Sequence, residues 1–336
     1  SSKEADWKEL CAIAKKQCLV GVLFDGIKKL PAEYVGMKKE LLLQWMAESQ
    51  MLEKANVRLN DAAIQVSEWF RKKGFRTCIL KGQGNALMYP NPYSRTPGDI
   101  DIWVEGGDKR VISFVRSISP HEKACYHHIE FPSYKGVEVE VHYRPSFLLC
   151  FWHNRRLQKY YERVKAEQFS HWVMLGEQGE VAIPTMEFNL IFHLTHIYAH
   201  LMNEGIGLRQ LLDYYFVLLH ADIKDLAELQ RNLKHFGLWK FAEAIMYIMH
   251  EVFGMPVSHF IVPPNEKYGK FVLNEVLEAG NFGKHDKRNR FGKSQLGHNL
   301  QRVYRDIRLI KYFPAEALSE PIFRVWHFFW RMKNQK

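Results

Sequence analysis

The hydrophobic period of this chain changes twice along its length, and those two changes limit its architecture more than any other pattern it carries. Up to residue 74 the apolar side chains recur every three or four positions. Between 75 and 143 the spacing falls to two, and beyond 154 it returns to the helical period. In the first stretch Trp7, Leu10, Cys11, Ala14, Cys18, Leu19 and Val22 share one helix face until Leu30-Pro31 breaks it. A longer helical pattern runs from near Met37 through Trp45, Leu52, Leu59 and Val66 to Phe70. Lys72-Lys73-Gly74 is its stop, with cations in the last turn and a glycine free to take a left-handed cap.

The middle stretch reads as strands and turns. Phe75-Arg76-Thr77-Cys78-Ile79-Leu80 is a buried strand entering the turn Lys81-Gly82-Gln83-Gly84, and 85–89 is a short helix closed by Pro90. Residues 91–98 have loop chemistry throughout. Asp99-Ile100-Asp101-Ile102-Trp103-Val104 then alternates acid with large apolar residues, as a strand does. Segments 126–131 and 137–143 form a hairpin around 132–136. The rest is helical, over 186–200, 208–220, 223–236, 238–253, 268–278 and two helices after Ser294 and Pro314, with a small hairpin near 172–184.

Composition narrows the class. Of 336 residues 47% are hydrophobic and 14% aromatic, enough for a large core and far from disordered or collagen-like chains. Five scattered cysteines, none in a C-x-x-C pair, support neither a disulfide framework nor a zinc ribbon and point to a reducing cytoplasm. No membrane span and no signal-peptide pattern is expected. The net charge of +10 is concentrated: residues 281–336 carry 13 Lys+Arg against 4 Asp+Glu. Such a segment is either a polyanion footprint or the solvated face of terminal helices.

The chemistry lies between residues 80 and 142. Two aspartates at i and i+2 of a strand project from one face, so Asp99 and Asp101 can converge on a metal ion. Glu138 and Glu140, sharing one face of the strand Val137-Glu138-Val139-Glu140-Val141-His142, are candidates for a third carboxylate. Three acids suit two divalent ions in phosphoryl or nucleotidyl transfer. The glycine turn offers backbone N–H groups at a helix start for phosphate, and Lys81 and Arg95 add positive charge. A dinucleotide fingerprint is not completed at Leu87, and no G-x-x-x-x-G-K-[ST] occurs.

In this order the residues resemble a known family. Leu80-Lys81-Gly82, Tyr89-Pro90, Arg95-x-x-Gly98-Asp99-Ile100-Asp101 and Glu140-Val141-His142 look like bacterial nucleotidyltransferases of the DNA polymerase β-like superfamily, a group known mainly by fold and motif. The opening helices, Leu208-Arg209-x-Leu211-Leu212-Asp213 and Pro314-x-Glu316-x-Leu318-x-x-Pro321 are similar to it as well. The resemblance implies an α+β fold with a polymerase β-like nucleotidyltransferase core, a mixed sheet with helices. That core, over 74–150, is flanked by N-terminal helices over 1–73 and a mainly helical C-terminal domain over 151–336. It further implies transfer of a nucleoside monophosphate from an NTP, ATP included, to an acceptor hydroxyl, with Mg²⁺ or Mn²⁺. Asp99, Asp101 and Glu140 would be the catalytic and metal-binding residues, Glu140 preferred over Glu138 for its spacing to His142. Lys81, Gly82, Gln83 and Arg95 would bind the nucleotide, although the superfamily typically has Gly-Ser or Gly-Gly where this chain has Gly82-Gln83. The acceptor is expected to be a small molecule or a protein, with RNA the polyanionic alternative. A non-catalytic module of the same fold, holding RNA or an acidic partner, is the competing reading. His193, His196 and His200 recur on one helix side and are expected at a domain interface rather than on a zinc ion. The aromatic run from Phe323 to Trp330 is expected to dock as a terminal helix.

Overall fold

The computed structural model describes residues 6–31, 36–177, 179–283, 286, 288 and 295–334. Asp6 starts helix α1 (Trp7–Lys16), its carboxylate accepting from the N–H groups of Lys8 and Glu9, each at 3.0 Å. The single helix expected up to Leu30 is two. The chain breaks at Cys18, whose φ is +56°, and restarts as α2 (Val20–Lys28). The break is tied from outside: Thr96 Oγ1 donates to the Cys18 carbonyl at 2.7 Å, and the Gln17 side chain accepts from Leu208 N–H at 2.8 Å. A break of two or three residues leaves the apolar period nearly in phase, so periodicity alone reads through it. Helix α3 (Lys39–Lys72) spans 34 residues and stops where expected, with Gly74 at φ +80°.

Four strands follow, β1 (Thr77–Ile79), β2 (Ile100–Val104), β3 (His128–Tyr134) and β4 (Val137–His142), in the spatial order β1-β2-β4-β3. The sheet is mixed, because β2 and β4 are parallel while both outer pairs are antiparallel. The β3–β4 turn is only Lys135-Gly136, both with positive φ, and Pro132 and Ser133 belong to the strand. The register shifts between Phe131 and Tyr134, a bulge on an edge strand, which is where a proline without an N–H is tolerated. One face of the sheet (Ile79, Ile100, Ile102, Val104, Val139, Val141) packs with Ala63, Val66 and Phe70 of α3 and with Val111 and Val115 of α5 (Gly107–Ile118). The sequence reading assigned no element to α5, whose apolar residues crowd into little more than one turn. The short α4 (Gln83–Ala86) begins directly after Gly82, two residues earlier than expected.

The other sheet face, with Cys78, Leu80 and Trp103, joins the large core of the helical half, where the Trp103 ring lies 4.6 Å from Phe169 and 5.9 Å from Phe188. That half comprises α6 (Phe151–Gln168), α7 (Met186–Asn203), α8 (Leu208–His220), α9 (Leu226–His235), α10 (Trp239–Phe253), α11 (Glu266–Ala279), α12 (Gln295–Ile310) and α13 (Pro314–Asn334). Between α6 and α7 the hairpin β5 (Trp172–Leu175) and β6 (Gly179–Ala182) folds back, its Leu175 and Val181 entering the α3–sheet core. Among the described residues no helix is long and apolar enough to cross a membrane.

The basic C-terminal segment departs from the expected single exposed cationic face, and its positions 284, 285, 287, 289–294, 335 and 336 lie outside the described residues. Arg288 and Arg308 pair with the buried Glu275, and Arg305 donates to the carbonyls of Asn203 and Glu204. The terminal aromatics divide. Phe323 is buried against Tyr126 and Phe147, whereas Phe328 and Phe329 are exposed.

Candidate active site

The parallel register pairs Asp101 of β2 with Glu140 of β4, so both side chains rise from the same sheet face on adjacent strands. Asp99 stands two residues before Asp101, at the edge of the same face. One oxygen from each of Asp99, Asp101 and Glu140 lies within 4.8 Å of the other two. Glu138, one pleat further out, is exposed and outside this group. The three acids sit in a cleft of about 770 Å³ between the sheet, α7, α8 and α13.

Cations hold the acids in place. Lys81 Nζ is 2.8 Å from Asp101 Oδ1, and His142 Nε2 lies 2.9 Å from the same oxygen and 3.3 Å from Glu140 Oε2. Burial pushes the Asp101 carboxyl up, yet Lys81 and His142 outweigh it and hold the group well below the usual carboxylate range. Burial likewise disfavours the His142 imidazolium, but its bonds to Asp101 and Glu140 raise it to about 9. Asp99 is the opposite case: the Asp101 charge beside it, reinforced by burial, lifts it to about 6. Burial depresses His128 and His193 to about 4 and His196 well below its ordinary value, so these three imidazoles are neutral beside the charged His142. His128 Nδ1 reaches Glu140 at 3.4 Å, and His196 Nε2 reaches Lys81 at 3.5 Å. The three helical histidines thus line the cleft, with His193 bonded to Asn85 Oδ1 at 3.1 Å.

The other residues expected to bind nucleotide are placed differently from one another. Gly82 lines the cleft at φ +59° and ψ −106°, a conformation open to glycine and strained for any other residue. Gly82→Ala is therefore expected to lose about 1 to 3 kcal/mol of stability, measurable by urea unfolding, even though the added methyl would meet no hard contact. Gln83 is a correction. Its side chain turns away from the cleft, buried against α3, where Nε2 donates to Asn60 Oδ1 and to the Asn56 carbonyl. A longer side chain in place of Ser or Gly therefore serves packing, while Gly82 lines the cleft. Arg95 has a partner that the sequence did not show. It borders the cleft, but its Nε and Nη2 each lie 2.8 Å from the carboxylate of Asp213 on α8, a buried bidentate pair joined by Tyr89 Oη at 2.7 Å. Its charge is balanced within the protein instead of standing free for an outer phosphate.

Several contributors were not legible as site residues. Asn56 of α3 donates to the Tyr93 and Arg95 carbonyls at 2.8 Å and fixes the loop that delivers Asp99. Arg302, Arg324, His327 and Arg331 of α12 and α13 reach the same cleft from the far end of the sequence. Only the excess of cations after residue 280 hinted at them.

Comparison with known proteins agrees with the motif reading. No curated protein matches the chain. Among solved structures, a crystal structure of an antigenic nucleotidyltransferase-like protein from Paracoccidioides brasiliensis aligns over 62% of this chain and 95% of its own, at 12% identity and a TM-score of 0.36. Residues 3–254 match the family described as uncharacterised nucleotidyltransferase, and with three quarters of its length inside that match the chain belongs to this family.

Proposed function

We propose that the chain transfers a nucleoside monophosphate from an NTP to a hydroxyl of an acceptor. One observation carries this reading: Asp99, Asp101 and Glu140 converge at the floor of a cleft whose rim is the Gly82 turn. The donor set fits a hard divalent cation, because it consists of carboxylate oxygens close enough to share an ion. Mg²⁺ or Mn²⁺ held by Asp99, Asp101 and Glu140 would supply positive charge against the charge developing on the phosphates. The acceptor oxygen attacks the α-phosphorus, the bond to the bridging oxygen breaks and pyrophosphate leaves. Glu140, its carboxyl held low by the His142 bond against the pull of burial, stays ionised and is placed to take the hydroxyl proton. Gly82, at the start of α4, lines the side of the cleft where the phosphates would lie, and Lys81 holds Asp101 in register. Incubation with NTPs, Mg²⁺ or Mn²⁺ and candidate acceptors should release pyrophosphate. Metal-independent polyanion binding without any release would support the non-catalytic module instead.

The cleft wall shifts the expected acceptor. Arg302, Arg324 and Arg331 border it, and Glu320, 2.8 Å from Arg324, together with Glu204 offsets two of their charges. A net positive wall beside the acids favours a polyanionic acceptor such as RNA over a neutral small molecule. RNA affinity should fall steeply across a salt series, and Arg331→Ala should reduce the slope by about one unit. Undetectable binding at low salt would return the choice to a small molecule or a protein.

A further inference from the structure

Outside the cleft, a second group of metal-ligating side chains joins the first turn of α6 to the start of α13. Cys150 caps α6, His153 follows on its first turn, and Glu316 belongs to the first turn of α13. One ligand atom from each lies within 4.8 Å of the other two, and none of the three lines the cleft.

Glu316 is only 2% exposed, and its two oxygens are used unequally. Oε2 accepts from the backbone N–H groups of Leu149 at 2.6 Å and Cys150 at 3.3 Å, which fixes the carboxylate in orientation. Oε1 is buried and has no hydrogen-bond partner among the described residues. The same holds for His153 Nδ1, which faces it at 3.5 Å. A buried carboxylate oxygen without a donor costs about 1 to 3 kcal/mol or more, so the arrangement calls for a cation between these atoms. The imidazole is also held from behind. A Cβ on Gly237 would lie 2.2 Å from His153 Cε1, so the ring rests against a glycine backbone at φ +69°.

We infer that Cys150, His153 and Glu316 form a zinc site that fastens the C-terminal helix to the start of α6. A mixed sulfur, nitrogen and oxygen set suits Zn²⁺ and does not suit Mg²⁺ or Ca²⁺, which take oxygen ligands. Binding deprotonates the Cys150 thiol and releases that proton to solvent, while Cys150 Sγ, His153 Nδ1 and Glu316 Oε1 become three ligands. Solvent completes the fourth position. Because α13 carries Arg324, His327 and Arg331 into the cleft, the ion would hold the acceptor wall in place without touching the reacting groups.

The full chain, stripped with chelator, is titrated with Co²⁺ as the spectroscopic stand-in for Zn²⁺. One equivalent should give a sulfur-to-cobalt charge-transfer band in the near ultraviolet, since that band requires a thiolate ligand. The band should persist in Asp99→Asn, which disables the carboxylate site, and in Cys125→Ser, which removes the thiol beside His127 and His128. It should vanish in Cys150→Ser, with folding verified by circular dichroism, and His153→Ala should weaken binding by ~10-fold or more. Zn²⁺ should raise the melting temperature of the parent but not that of Cys150→Ser. A band lost in Cys125→Ser instead, or no band and no thermal shift in the parent, overturns the site and leaves His153 and Glu316 as an ordinary ion pair.

Discussion

Asp99→Asn is expected to lower pyrophosphate release by about a thousandfold while leaving the urea midpoint unchanged or slightly raised. The activity loss follows from removing one of three acids that hold the divalent ion. The unchanged stability follows from electrostatics in the metal-free protein, where Asp99 is lifted to about 6 mainly by the Asp101 charge beside it. Neutralising it relieves repulsion and breaks no ion pair among the described residues. Asp101→Asn should give the same catalytic loss with the opposite effect on folding. Asp101 is the common anion of Lys81 and His142, and both cations would remain buried with a neutral amide in its place. A loss of about 3 kcal/mol is expected, the lower end for breaking a buried pair, because Glu140 still faces His142. Equal midpoints for the two variants would contradict this division of roles. Full activity of either would remove the proposed site.

Asp213→Ala should be among the most destabilising single substitutions in the chain, by about 3 to 5 kcal/mol in urea unfolding. Asp213 receives both arms of Arg95 and the Tyr89 hydroxyl in a buried setting, and its removal strands a guanidinium in the core. Burial raises the Asp213 carboxyl, but Arg95 dominates and brings it down to about 2. The sign of the pH effect follows. The unfolded chain holds that proton with a pKa of about 3.9. The pair's contribution is therefore complete above about pH 4 and is lost as the pH falls towards 2. The double replacement Arg95→Met with Asp213→Leu should recover most of the stability, because an apolar pair of similar volume needs no desolvation of charge. It also separates two roles for Arg95. If the double variant folds and binds NTP normally, Arg95 shapes the loop before Asp99 and contributes no charge to phosphate. A stable variant with weakened NTP affinity assigns it both.

What the chain determined by itself is local and periodic. The 3.6-residue spacing ending in Lys72-Lys73-Gly74 set the end of α3, and the alternation from Asp99 to Val104 made β2 a strand with Asp101 on one face and Asp99 just ahead of its first residue. The valines and acids of β4 did the same for Glu140, since side-chain direction is fixed once the period is two. Tertiary structure decided everything that depends on distance along the chain. The parallel register placed Glu140, and not Glu138, beside Asp101, because adjacent pleats on one face differ in which neighbour they oppose. It gave Arg95 a partner on α8 at the edge of the cleft and Gln83 a partner on α3, away from it. Tertiary structure also divided the C-terminal cations between the core and the cleft wall, and it set Glu316 against a cysteine and a histidine far away in sequence. Side-chain chemistry states what a residue can bind, whereas the partner it meets is set by packing between elements that the local sequence does not encode.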